Sequence, residues 1–367
     1  MKRFVLAFAL TGGMLLLGRG VWADDTVYFL DPAKKADETI TGVIERESPA
    51  GIQLRAKGGI RDIPALQITQ ITYGNKAVDA ITYREPEKNL TNALRETKPD
   101  RRSELLRLAL LGYQELDGKL RDVPHIHRYL QFKLAQVTAL QARDDPSRLD
   151  AAIAALTEYK RAFPTGWEIM PALRMLARAQ EDKGDMQGAS KTYAELAAVP
   201  GIPPEMKLEN QMLEARLLVR GGKFADAEMK LKTLAATLPR DAPQRTAVDL
   251  YLAQSQMAQG RLDGVEERLR ATIRASEDKT LLALAHNFLG DLYRLKKQAD
   301  LAFWEYLKVD MMYSEDREEH AKALYYLAQL FDKPKNDPAR AEQYLTKLKT
   351  REYDGTTYQR MAEKKTP

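Results

Sequence analysis

The sequence predicts a mainly α-helical chain: an α-solenoid of five to six helix pairs preceded by a small antiparallel β-barrel. Three observations carry this. Gly184, Gly222 and Gly260 recur 38 residues apart, and the next turn falls at Lys297, 37 residues on. A fixed period in this range is the signature of stacked helix pairs. A large-small-x-x-aromatic pattern recurs beside those turns, clearest in Leu289-Gly290-Asp291-Leu292-Tyr293 with Ala302 and Tyr306 behind it. Ahead of the repeats, residues 24–83 are instead β-branched and rich in tight turns.

The chain opens with Met1-Lys2-Arg3, an apolar run from Phe4 to Leu17, and Val21-Trp22-Ala23. A charged start, a short apolar run and small residues near a cleavage point read as a secretory signal peptide over 1–23. The run is shorter than the roughly 20 apolar residues that span a bilayer. The expected location is therefore periplasmic or secreted, in the cell envelope. The chain has no cysteine, so a secreted protein of this size relies on packing rather than disulfides. It also lacks the cysteine on which a bacterial lipoprotein is anchored. The formal charge of +5 falls to +2 without the leader, because Lys2, Arg3 and Arg19 leave 54 basic against 52 acidic residues. A near-neutral chain gives no support to nucleic acid as a partner.

Residues 24–83 form the barrel segment. Thr39 to Arg46 is β-branched, Ile52 to Lys57 alternates with period two, and Ile68 to Tyr73 is β-branched again. Gly51 and Gly58-Gly59 mark the turns between them, and short strands with tight turns suggest a small antiparallel barrel. The string Gly51-Ile52-x-Leu54…Ile63-Pro64-Ala65…Ile68-x-x-Ile71-x-Tyr73 resembles Sm-like and SH3-like barrels, which implies a docking module in an exported chain. Residues 84–101 are polar, carry Pro86 and Pro99, and read as a linker or a loose first helix. A leading helix follows over 102–124, with leucines at 105, 106, 108, 110 and 111. The solenoid runs over 125–350. Its clearest pairs are 168–199, 206–238, 245–275, 281–311 and 318–349. Residues 351–367 form a polar tail with one short capping helix.

Antiparallel helices approach to about 8–10 Å where small side chains meet. Ala177 and Ala189, Ala215 and Ala227, and Gly290 and Ala302 supply such pairs, each twelve apart. The chain here resembles the tetratricopeptide repeat family, whose small residues have this spacing. Its period exceeds the family's 34. Joints such as Pro200-Gly201-Ile202-Pro203-Pro204 and Pro239-Arg240-Asp241-Ala242-Pro243 absorb the surplus. The copy around Gly260 departs from the pattern, with Val265 where a small residue is expected.

Nothing in the sequence names a reaction. There is no cysteine nucleophile, phosphate-binding glycine loop, His-Glu-x-x-His or Gly-x-Ser-x-Gly. His125 and His127 are two apart and point in different directions on a helix, so a metal there needs outside ligands. His286 reads as packing. His320, beside Glu318 and Glu319, reads as solvated. The chain is expected to be a non-enzyme with no cofactor and no metal site.

The resemblance implies a concave binding face built by the first helix of each pair. Family ligand positions fall three before, one after, four after and five after the first small residue. They map to Arg174, Arg178, Glu181 and Asp182 in one repeat, and to Met212, Arg216, Val219 and Arg220 in the next. Around Gly290 they are Asn287, Asp291, Arg294 and Leu295. Around Ala328 they are Tyr325, Gln329, Asp332 and Lys333. Four arginines in neighbouring repeats suit a carboxylate-bearing protein or peptide; the alternative is that Arg178 pairs with Glu181 or Asp182 in its own helix. The expected function is an exported protein-interaction scaffold in the cell envelope. The alternative is a non-catalytic accessory module that positions a cell-wall or envelope enzyme.

Overall fold

The computed structural model describes residues 24–31, 36–75, 77–239, 242–353 and 356–363. The leader expected over 1–23 lies outside them, as do Arg240 and Asp241 of the second proline joint. The chain divides into two compact units, Met1–Lys133 and Leu134–Pro367.

In the first unit, β1 (Asp25–Asp31), β2 (Ala36–Ser48), β3 (Gly51–Ala56), β4 (Gly59–Pro64) and β5 (Ile68–Thr72) form one antiparallel sheet in the order β4-β3-β2-β1-β5. Alternation puts Val27, Phe29, Ile52, Leu54, Ile63 and Ile71 inside. β2 shifts register near Ile44 and so pairs with β1 along one half and β3 along the other. Gly42 sits where the chains approach, since a Cβ there would fall 2.2 Å from the Arg55 carbonyl oxygen. Among the described residues β4 and β5 do not pair, so the element seen is a five-stranded sheet rather than a closed barrel.

Most of the segment read as a linker or a loose first helix is helical: α1 spans Ala80–Arg95. Asp79 caps it, accepting from the Ile81 and Thr82 amides. Pro86 lies inside α1, and α2 (Pro99–Leu120) carries Gly112 against its ring, leaving 2.5 Å for a Cβ. α3 (Pro124–Asp144) crosses the division between the units. Its first half is held by polar contacts within the first unit. Tyr129 donates to Glu87 at 2.7 Å and accepts from the Ile71 amide at 3.3 Å. Lys133 meets Glu87 at 3.1 Å. A buried pair is tolerated where its members are hydrogen-bonded in this way.

The second unit continues with α4 (Leu149–Ala162) and five pairs: α5 (Ile169–Lys183) with α6 (Met186–Ala197), α7 (Pro204–Arg220) with α8 (Phe224–Thr237), α9 (Pro243–Ala258) with α10 (Val265–Ala275), α11 (Lys279–Leu295) with α12 (Ala299–Met312), and α13 (Arg317–Asp332) with α14 (Pro338–Leu348). The turns between these partners use the left-handed region at Gly184, Gly222, Gly260 and Lys297, as the spacing of 38, 38 and 37 residues predicted. Ala177, Ala189, Ala215, Ala227 and Ala302 are fully buried, and Ala253 and Val265 of the divergent copy are buried in one cluster.

The tail is not merely polar. A 3₁₀ turn at Arg351–Tyr353 precedes α15 (Thr357–Glu363). Tyr353 and Ala362 are buried with Ala321, Leu324, Tyr325 and Leu348.

Candidate concave-face site

The first helices of the pairs carry the side chains that the sequence assigned to a ligand. Within α5, Arg174 and Arg178 are exposed. Arg174 reaches the Met206 sulfur at 3.9 Å. The pairing of Arg178 inside its own helix does not form. Glu181 instead accepts from the Tyr193 hydroxyl at 2.9 Å and lies 3.8 Å from Arg220. Asp182 meets Arg360.

Arg216 on α7 is half-buried. Burial alone would lower its pKa. The nearby Tyr251 and Glu181, and Glu319 of another repeat, outweigh that and hold the guanidinium above its usual range. Asn287 is fully buried and donates to the Glu319 carboxylate at 2.7 Å and to its carbonyl at 2.9 Å. Burial pushes the Glu319 carboxyl above its ordinary value, against the pull of Lys322 and Asn287. Asn287 and Glu319 thus form an internal hydrogen-bonded pair, and the Glu319 charge acts on the Arg216 guanidinium.

Asp291 is similarly engaged. It accepts from Tyr306 at 2.6 Å and Lys322 at 2.5 Å, and lies 3.5 Å from Arg294. The Arg294 guanidinium stacks 3.8 Å above the Tyr326 ring. Sequence reasoning missed Lys322, because nothing local marks a lysine as buried. Burial would lower its pKa, and Asp291 beside it raises it instead. Tyr325 is buried and Gln329 half-buried.

Two open features remain. A cleft of about 680 Å³ lies between α7, α8 and the start of α9, lined by Leu208, Met212, Leu213, Leu238 and Tyr251, with Arg216 on one wall. The second feature is the cradle that holds α15. Arg220 donates to the Thr357 hydroxyl at 2.8 Å, Arg360 donates to Asp182 at 3.3 Å, and the Thr357 amide donates to the Glu318 carboxylate at 3.2 Å. The Tyr358 ring packs 5.7 Å from Tyr325 and 5.8 Å from Tyr326. Family ligand positions 182, 220 and 325 therefore meet on one segment, and that segment is the chain's own C-terminal helix.

The histidines are structural. His125 meets the Tyr73 ring edge-on at 5.1 Å, and His127 Nδ1 lies 2.5 Å from Asp117. His286 is buried 2.6 Å from Glu305, and stacks on Tyr313. His320, read as solvated, is buried: its Nε2 lies 2.8 Å from Asp310 and its Nδ1 3.0 Å from the Tyr353 hydroxyl. Its neighbours in sequence are acidic, but the helix turns it toward α12 and the tail. Among the described residues no group of three acidic, histidine or cysteine side chains could hold a metal ion, and no helix is long and apolar enough to cross a membrane.

No protein-family model and no curated protein matches the chain. Solved structures do. A tetratricopeptide repeat protein from Parabacteroides merdae superposes with a TM-score of 0.51 at 16% identity, covering 76% of this chain and 97% of that one. BtubC from P. vanneervenii gives 0.36 at 16% identity, covering 60% and 89%. A Podosopora anserina putative kinesin light chain with TPR-like repeats gives 0.34 at 21%, covering 50% and 93%. The first of these shows the fold: the chain carries an α-solenoid of the tetratricopeptide-repeat type, with a five-stranded antiparallel sheet ahead of it.

Proposed function

We propose that the protein is an exported interaction scaffold of the cell envelope that takes a protein or peptide segment along the concave side of α5, α7 and α13. The observation that supports this most is the docking of α15 there, since it displays a surface with the reach and chemistry to hold a helical segment. An apolar side chain of the partner fills the cleft beside Met212. An acidic part of the segment lies against Arg174 and Arg178, which are exposed and face no carboxylate of their own helix. Asn287, Asp291 and Arg294 support the surface from behind through their internal pairings, and Arg216 forms part of the cleft wall.

The test is capture from the envelope of the native host with full-length bait, wild type against Arg174→Glu with Arg178→Glu, read by quantitative mass spectrometry. A partner recovered by the wild type and lost by the charge-reversed bait is expected. Recovery of the same set by both moves binding off this face. Export is tested separately by the intact mass of native protein, which should begin at Asp24.

A further inference from the structure

We propose that the cradle between α5, α7 and α13 is a docking site for a short helix bearing an aromatic residue and, two positions on, an arginine, and that α15 is its intramolecular occupant. This deepens the reading above by naming the class of segment that the same surface takes.

The chemistry of the cradle is legible from what fills it. Asp182 receives Arg360, the Tyr325 and Tyr326 rings receive Tyr358, and Arg220 and Glu318 receive the hydroxyl and amide of Thr357. These groups come from three different repeats, so the contacts are tertiary and not a continuation of the last hairpin. The Tyr358 ring is half-buried, packed against the cluster of Ala321, Leu324 and Tyr325. Yet α15 has seven residues, and helices that short do not persist alone in water. The cradle orders it.

The segment is held on one side: Thr356, Gln359 and Ala362 are buried, while Met361 and Glu363 on its far side are exposed. A seven-residue helix held on one side is an element that can open locally without unfolding the repeats behind it. The tether keeps α15 at an effective concentration on the order of millimolar. A partner segment with the same contacts must compete with that, so the tail sets a threshold for binding in trans.

The experiment uses the full chain and a fluorescent synthetic peptide of residues 356–363, Thr-Thr-Tyr-Gln-Arg-Met-Ala-Glu. In one variant the tail is loosened by Tyr358→Ala with Arg360→Glu. The loosened protein should bind the peptide at least about tenfold more tightly than wild type, because the cis competitor is gone. A peptide with glutamate in place of its arginine should lose that binding, and Asp182→Arg in the loosened protein should restore it. Equal binding by wild type and loosened protein overturns the proposal, as does indifference to the charge reversal. Hydrogen exchange of the wild type gives an independent readout: amides of 359–363 should exchange well before those of α13, and equal protection counts against a displaceable tail. The peptide titration does not involve Arg174 or Arg178, so its failure is distinguishable from failure of the envelope capture.

Discussion

The ring of Tyr306 lies against the α-carbon of Gly290, so close that a Cβ built there would fall 2.7 Å from the ring's Cζ. Tyr306 cannot retreat. It is fully buried, and its hydroxyl is tied to Asp291 at 2.6 Å. The glycine that gave the best repeat its signature is therefore a packing requirement, set by a residue of the second helix.

Gly290→Leu should cost roughly 1–3 kcal/mol or more through overpacking. Gly290→Ala gains about 1 kcal/mol of helix propensity, which offsets part of its smaller clash. A thermal melt showing Leu lower than Ala, and Ala at or below wild type, is the expected order. An unchanged melting temperature for Gly290→Leu contradicts the crossing described here.

The interrepeat turns allow a cleaner backbone test. Gly184 and Lys297 occupy equivalent turns with φ of 87° and 59°, and a Cβ at Gly184 meets nothing within 4 Å. Strain alone separates the residue types there, and a left-handed non-glycine residue costs roughly 1–2 kcal/mol. Gly184→Ala should destabilise by about that amount. Lys297→Gly should stabilise by less, because glycine also loosens the unfolded chain. Lys297→Ala should be nearly neutral. Urea midpoints of the three variants decide the order.

What could be read from sequence was the local geometry that repeats. Alanines twelve apart and glycines 38 apart encode helix crossings and turns, which involve near neighbours. Contacts between repeats left no such trace. Arg216 finds Glu319, and Asp291 finds Lys322, only once the helices are stacked. The tail looked polar because Arg360 and Thr357 are polar, and their partners Asp182 and Arg220 lie far back in the chain. Pro86 and Pro99 made 84–101 resemble a linker; packing of Gly112 on the Pro86 ring shows why a proline is accommodated inside α1.

Asp310 joins the last repeats to the tail and makes stability acid-sensitive. It contacts His320 at 2.8 Å, Lys347 at 2.7 Å and Tyr344 at 3.3 Å. Burial pushes its carboxyl up, but hydrogen bonds from His320 and Lys347 outweigh that and bring it down to about 2. A folded pKa below the unfolded value of about 3.9 stabilises above pH 4 and is lost as pH falls toward 2. The difference corresponds to roughly 2–3 kcal/mol. Glu228 and Glu266, also held at about 2 by their cationic partners, titrate in the same window. Asp310→Asn should be destabilised at pH 6, and its gap from wild type should narrow between pH 4 and 2. A gap that stays constant through that window refutes the assignment.

The arginines assigned to one clamp should separate by experiment. Arg178 is exposed, so Arg178→Ala should leave stability within about 0.5 kcal/mol, as for surface changes generally. Arg216 sits against Tyr251 with Glu181 and Glu319 close by. Arg216→Ala would remove the cation that offsets the nearby Glu181 and Glu319 charges and lose its packing beside Tyr251, at roughly 1–3 kcal/mol. Its melting temperature should fall even before any partner is present. Partner affinity should depend on the exposed charge of Arg178 with no matching loss of stability. Arg178→Ala should weaken binding, increasingly so at low ionic strength where exposed charges are least screened. Arg216→Lys keeps the charge but loses the planar fork, so it should recover part of the stability. Melts of the three variants, followed by calorimetric titration with a captured partner at two salt concentrations, separate the two roles. Equal loss of stability in Arg178→Ala and Arg216→Ala would show that both belong to the internal network, and would leave Arg174 as the cation available to a ligand on α5.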